Sequence, residues 1–408
     1  MEPTVIANLA TQIEPTISLS EAANVLWDVI VVGAGPAGSV SALQIARGGA
    51  KVLLIDKAAF PRGKVCGCCL NKNTISSLQA LGLRDLLRQN SAVDLHEFRM
   101  FAGRRRAKLP LPGGVALSRL AFDSALIRRA IEAGVNFLPE VSGLSVNNDS
   151  AQLTIQLRSA SARVESYSQA ATKIVLAADG LAGSLLKKRS DADELQDISK
   201  VMVSATSRVG ASTTICCESD FYVQGAIYMA VDSSGYVGLV RLEDGKLDIA
   251  AAFDVEQLRK LGEPRQLAKH ILESCQMPVP DELQASHWRG TPALTRQRSI
   301  VAGDRLFVVG DAAGYVEPFT GEGMAWALAS AIQVAPLAIE GIAAWHPGLS
   351  RRWRQAHHRL VKRRQFSCRL ISGLLRSPFA SQMLAATLSK MPWLATPVVR
   401  AINRSDSC

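Results

Sequence analysis

The chain has 408 residues, with 46 Lys and Arg against 36 Asp and Glu. That length suits two domains or one large two-part domain, and 48% apolar with 20% charged residues is ordinary for a globular protein with a full core. The excess charge is local: residues 351–408 carry 12 Lys and Arg and one Asp, whereas residues 1–350 carry 34 against 35, which argues against a nucleic-acid-binding body and leaves an anionic membrane or an acidic partner to the tail alone.

Residues 1–25 lack a basic start followed by an apolar block, so they read as a lead-in and not as a signal peptide. No apolar run reaches about 18 residues, so no membrane span is expected. Eight cysteines in a chain of this length do not make a disulfide scaffold. Without a signal peptide the cytoplasm is the expected compartment, with most thiols reduced.

The stretch WDVIVVGAGPAGSVSALQIARGGAKVLLIDK carries the first chemical signal. Asp28–Val32 reads as a buried parallel strand. Gly33, Gly35 and Gly38 then form G-x-G-x-x-G, a helix follows, and Lys51–Ile55 reads as a second strand closed by Asp56. Gly33 permits the tight turn, Gly35 admits a pyrophosphate to the backbone, and Gly38 lets helix pack on strand. Asp56 can accept from a ribose hydroxyl. Gly33, Gly35, Pro36, Ala37, Gly38, Asp56 and Lys57 are therefore candidate contacts of a dinucleotide.

GKVCGCCLNK follows, with Cys66, Cys68 and Cys69 inside four positions. Cys66-x-x-Cys69 has dithiol spacing, but no second ligand pair accompanies it, so no metal is expected. Cys66 and Cys69 stand as candidate redox residues. Residues 172–188 read as a strand ending in Asp179-Gly180. Residues 200–253 read as sheet, with Ser-Ser-Gly and Glu-Asp-Gly hairpin turns. Tyr222, Tyr228, Met229 and Tyr236 there are candidate pocket residues or ordinary packing. Cys216 and Cys217, as strand neighbours, point to opposite faces and cannot easily share one ion. Residues 304–331 read as a strand ending in Gly310-Asp311, then a Pro-x-x-Gly-x-Gly loop from Pro318 to Gly323, then a helix starting near Met324. The N-terminus of that helix can hold partial negative charge. The tail from Trp345 reads as helical. It is either an amphipathic segment for a membrane or substrate channel, or helices packed on the body with a solvated basic face.

These three motifs, in this order, resemble the FAD-dependent family that holds the class A aromatic hydroxylases, the geranylgeranyl reductases and the flavin-dependent halogenases. The resemblance covers roughly residues 26–340. It implies an α/β protein: a Rossmann-like FAD-binding domain, an inserted mixed β-sheet substrate domain and a C-terminal helical tail. The expected division is 1–25 lead-in; 26–95, 119–190 and 298–342 FAD-binding; 96–118 and 191–297 substrate sheet; 343–408 basic tail. It also implies FAD contacts from Arg62, Cys66, Gly67, Arg119, Asp179, Gly180, Gly310, Asp311, Pro318, Gly321, Gly323 and Met324. Asp123, in the same helix as Arg119, reads as a packing or capping residue.

NAD(P)H is the expected electron donor; no second G-x-G-x-x-G is present, so no separate nicotinamide domain is expected and the donor would bind transiently at the flavin's face. The resemblance implies an oxidoreductase, with hydroxylation of a lipophilic or aromatic small molecule slightly ahead. Reduction of C=C bonds in an isoprenoid is the first alternative, and modification of a partner protein's side chains the second. PFTGEGMAWALAS and KVCG resemble the reductases, although Cys68 and Cys69 stand where that branch usually has glycines. Halogenation is disfavoured because the chain has no Trp-x-Trp.

Overall fold

In the strand Leu26–Val32 every residue from Val29 onward is buried. A run apolar on both faces belongs in the middle of a covered parallel sheet, and that is its place in the computed structural model, which describes residues 11–149, 152–159, 166–186, 198–317, 319 and 321–397. Leu26–Val32 pairs in parallel with Val52–Ile55 on one side and with Ser166–Ala177 on the other. Leu306–Val308 pairs in parallel with Ser166–Ala177, and Asn136–Leu138 with Val52–Ile55. The hairpin strands Val141–Asp149 and Gln152–Ser159, and the short Ala302–Gly303 antiparallel to Leu306–Val308, complete an eight-stranded sheet. Because three of these strands are parallel neighbours, the loops after Val32, Ala177 and Val308 emerge side by side. Three motifs far apart in sequence thus meet at one edge, where open α/β sheets bind ligands.

The second layer is a seven-stranded sheet, in which only Ala226–Asp232 and Glu97–Ala102 pair in parallel. Its strands alternate between two cores, as a period of 2 requires. Tyr228 and Ala230 pack with the helix Pro264–Ser274 on the outer face. Met229 and Val231 face inward, in a cluster with Tyr236, Met100 and Leu388. A three-stranded sheet, Cys69–Asn71 with Gly114–Ala116 and Val93–Asp94, joins the cysteine stretch to this inner side.

One helix, Gly323–Ala343, is long and apolar enough by length and composition to cross a membrane, although the sequence suggested no such segment. Here it is an internal helix: Leu328, Ala331, Val334 and Ala338 belong to the main core. The tail continues as the helices Pro347–Leu374 and Pro378–Lys390 and a 3-10 turn at Pro392–Ala395. Trp353 fixes the first of these. It is fully buried, and its indole N–H donates to Val301 O and Val308 O, both at 3.1 Å. The next helix and turn pack on the sheet strands Glu97–Ala102 and Arg105–Pro110. Leu375 and Leu388 thereby join the inner cluster. The tail is a packed wall of the molecule, with Arg351, Arg352, Arg354, Arg359 and Lys390 exposed on its outer side.

Trp353→Ala removes the anchor of the basic helix. It is expected to cost about 3–5 kcal/mol of stability by urea unfolding; a loss below about 1 kcal/mol would contradict the packing described.

Candidate active site

Gly33 adopts φ +108°, and a Cβ there would lie 2.4 Å from Ala178 O. A Cβ on Gly38 would lie 1.8 Å from Gly33 O. The first turn, the start of the helix Pro36–Arg47 and the Ala178 loop therefore touch backbone to backbone. Gly35 differs: its nearest Cβ neighbour would be Arg62 Nη2 at 3.9 Å, and it borders a cavity of about 580 Å³.

That cavity has a polar end and an apolar end. At the polar end Gly35, Pro36 and Ala37 face Gly180 and Asp311 across the motif loops, with Lys64 and Arg119 alongside. Gly321, Gly323 and Met324 close it from the third motif. Toward the other end the lining is Met100, Leu109, Met229, Tyr236 and Leu294 from the sheet, and Ile371, Leu384 and Leu388 from the tail. No His or Glu lines it among the described residues.

Asp56 accepts the Ala34 N–H at 2.8 Å on Oδ2 and the Ala58 N–H at 3.0 Å on Oδ1. Each carboxylate oxygen has two lone pairs, so capacity remains for a ribose. Arg62 bridges Asp56 and Asp123 at 3.5 and 3.7 Å, and its Nε is a buried donor with no partner. Arg119 is held by Asp123 through two hydrogen bonds, of 2.8 and 2.7 Å. Asp123 is thus more than a packing residue: it fixes two arginines beside the cavity. Burial pushes the Lys64 amine down, and neighbouring Arg119 adds to this. Lys64 escaped sequence reasoning although it sits in the same FPRGK as Arg62; nothing in its spacing separates a lining lysine from a solvated one.

Two expected contacts are placed elsewhere. Asp179 uses Oδ2 to accept Leu185 N–H at 2.8 Å and Ser184 Oγ–H at 3.3 Å, so it braces its own turn. Lys57 is exposed and does not line the cavity. Gly310 lies beside the first motif helix, since a Cβ on it would come within 2.7 Å of Ala37 Cβ. Pro318 lies outside the described residues. Of the aromatic candidates, Tyr236 lines the cavity with Met229, whereas Tyr222 and Tyr228 belong to the core under the sheet's outer face. Among the described residues no group of three His, Cys, Asp or Glu could hold a metal.

The cysteines are arranged differently from their spacing. Cys68 takes φ +51°, the left-handed conformation that a glycine would hold at no cost. This turns Cys68 back on Cys66: its N–H donates to Cys66 Sγ at 3.4 Å, and its thiol hydrogen-bonds to Cys66. Cys69 instead starts the strand Cys69–Asn71, opposite Ala116. Within this stretch the hydrogen-bonded thiols are thus Cys66 and Cys68. The chemistry agrees. Hydrogen bonding from Cys68 draws the Cys66 thiol down to about 6 against its burial, with help from the Arg119 guanidinium. Burial pushes Cys69 up, and nearby Asp248 reinforces it. Asp248 is a further residue that the sequence did not single out. It accepts Thr214 Oγ–H at 3.3 Å, its Oδ2 has no partner, and burial pushes its carboxyl well above the usual carboxylate range.

The donors and the cradle fit a dinucleotide with a flavin. Gly35, Gly67 and Gly321 leave room that a side chain would fill, and Arg62 Nε offers an unpaired hydrogen. The family model described as an FAD binding domain matches residues 27–340. The chain belongs to that family.

This FAD-dependent oxidoreductase is 28% identical over 318 residues to a menaquinone reductase of Mycobacterium tuberculosis, 74% of each chain. It is 30% identical over 322 residues to digeranylgeranylglycerophospholipid reductase 1 of Methanothermobacter thermautotrophicus, 73% of each chain. Its fold matches that of p-nitrophenol 4-monooxygenase from Pseudomonas putida with a TM-score of 0.73, covering 94% of this chain and 99% of the other at 14% identity. The bound FAD would be held by Gly35, Pro36 and Ala37 at its phosphates, with Asp56 and Arg62 beside them. Cys66, Gly67, Asp311, Gly321 and Met324 would face its ring end.

The thiol pairing gives a direct check. The pH profile of Cys66 alkylation by iodoacetamide should show a midpoint near 6 in the native protein. Cys68→Ala should move it up, and Cys68→Ser, which keeps a donor, should not. A native midpoint near the ordinary thiol value of about 8.5 would exclude the pair.

Proposed function

We propose that the protein uses NAD(P)H-reduced FAD to saturate carbon–carbon double bonds of a long isoprenoid lipid. The observation that carries this reading is the cavity: its charged groups, Lys64, Arg119 and Asp311, converge at the flavin end, and apart from Asn71, Thr291 and the tyrosine hydroxyls the other lining side chains are apolar or thiols. A hydrocarbon chain is satisfied by such walls, and each buried CH₂ contributes about 0.8 kcal/mol. The names of the relatives described above, a menaquinone reductase and a digeranylgeranylglycerophospholipid reductase, support reduction.

FAD supplies the two-electron chemistry. The reaction joins the substrate double bond, NAD(P)H and one proton to give the saturated bond and NAD(P)⁺. The chain's own part is to align the double bond, exclude water and manage that proton. Cys66 Sγ is the best-placed group for it. A thiol titrating near 6 can both hold and release a proton close to neutral pH. Cys68 and Arg119 steady the negative sulfur once the proton has left, and Asp123 keeps Arg119 in place.

Anaerobic turnover with NADPH and a polyprenyl substrate, read by mass spectrometry, is expected to add two hydrogens per reduced bond. Incorporation of an oxygen atom, seen only in air and matched by oxygen uptake, would support hydroxylation and overturn this reading. Cys66→Ser is expected to retain FAD and to slow turnover by at least about a hundredfold. Unchanged turnover would remove the thiol from the proton's path.

A further inference from the structure

Among the described residues, the largest group of exposed large apolar side chains lies in one stretch of the tail, with a smaller one at Val201–Val203. Phe379 is 77% exposed and Trp393 65%, and Leu374, Met383, Met391 and Leu394 join them within the same short stretch of chain. These residues come from the end of the helix Pro347–Leu374, the helix Pro378–Lys390 and the turn Pro392–Ala395. Phe379 and Met383 are four apart and so share one helix face. Leu384 and Leu388 of the same helix turn inward and line the cavity. The cavity lies behind the helix, and its solvent side presents Phe379 and Met383 among the exposed Gln382, Thr387, Ser389 and Lys390. Large apolar tips set among polar residues on an outer side mark an interaction surface.

Leu374 and Leu394 are at once exposed and part of the cavity lining. They mark the place where the cavity reaches the surface, inside the apolar patch. The charges around it have one dominant sign. Residues 371–397 contain Arg376 and Lys390 and no acidic residue. The hairpin that opens the strand Arg105–Pro110, against which the helix and the turn pack, adds the exposed Arg104 and Arg105 beside the patch, whereas Arg106 and Lys108 point to the other face of the sheet. The acidic neighbour on the adjoining strand, Glu97, is already paired with Arg99 and Lys108.

We infer that this patch docks on an anionic lipid membrane, with Phe379, Met383, Met391 and Trp393 entering the bilayer surface and the arginine hairpin meeting the headgroups. Aromatic and apolar tips rimmed by basic side chains are the pattern of a segment lying in an interface. Docked this way, the cavity mouth opens into the acyl region, and a lipid chain reaches the flavin end without crossing water. A second copy of the chain would meet the same dense positive charge and be repelled by it. The purpose rests on the isoprenoid reading above, but the docking does not.

The test uses the full-length protein with FAD bound, sedimented with vesicles of phosphatidylcholine alone or mixed with phosphatidylglycerol. The protein is expected to pellet with the anionic vesicles at low salt and to be released at high salt. Phe379→Glu/Trp393→Glu should lower vesicle binding about tenfold or more, and Arg104→Glu/Arg105→Glu should remove the preference for anionic lipid. Neither pair lines the cavity, so turnover of a short, water-soluble isoprenoid should be unchanged in both variants, as should the melting temperature. Failure to bind anionic vesicles at low salt overturns the inference. So does concentration-dependent dimerisation that Phe379→Glu/Trp393→Glu abolishes, because the patch would then belong to a second copy. Vesicle binding without any double-bond reduction would sink the function proposed above and leave this surface standing.

Discussion

Everything at this site depends on how closely three backbones approach one another. Gly33 O lies where a side chain on Gly38 would be, and Ala178 O lies where one on Gly33 would be. Only unsubstituted α-carbons allow the strand Leu26–Val32, its helix and the loop after Ser166–Ala177 to meet in this way. Once they meet, the parallel order of the sheet sets Gly310 and Asp311 beside them. The helix dipole of Pro36–Arg47 then points at the space that Gly35 leaves open. The cavity, the arginine pair held by Asp123 and the placement of Cys66 all follow from that contact.

The cysteine stretch illustrates a different level of control. Spacing in sequence paired Cys66 with Cys69, but backbone conformation decides which thiols touch. A φ of +51° turns Cys68 back on Cys66, while Cys69 begins the strand that pairs with Ala116. Cys68 holds a conformation that costs a non-glycine residue on the order of 1–3 kcal/mol. In exchange, it brings a donor to Cys66. The resulting acidic thiol sits where the polar and apolar halves of the cavity meet. Proton handling is needed at that boundary if a hydrocarbon is to be reduced.

The Rossmann-like half was legible because its signals are local: an apolar run, fixed glycine spacings and an acid at the end of a second strand. The inserted sheet was legible from alternation and turn residues. What the sequence left open depends on three-dimensional neighbours. Asp123 looked like a helix residue until Arg62 and Arg119 were seen to share it. Asp248 lies on a strand, Leu247–Phe253, whose inner face could not be told from its outer face by pattern alone. Asp179 carries a motif's acidic position yet spends its carboxylate on Leu185 and Ser184. The tail was recognised as helical and basic. That it also walls the cavity emerged only from its packing on Glu97–Ala102 and Arg105–Pro110.

The central claim is that Gly35 opens the cradle for FAD. Its backbone, at φ −73° and ψ 179°, is one any residue can adopt, and a Cβ there meets nothing closer than 3.9 Å. Gly35→Val should therefore fold normally and fill only the cofactor's place. FAD content per chain, measured after acid release from purified protein, is predicted to be near one for the native protein and near zero for this variant, with the two apoproteins melting alike. A Gly35→Val protein that retains a full complement of FAD would contradict the account.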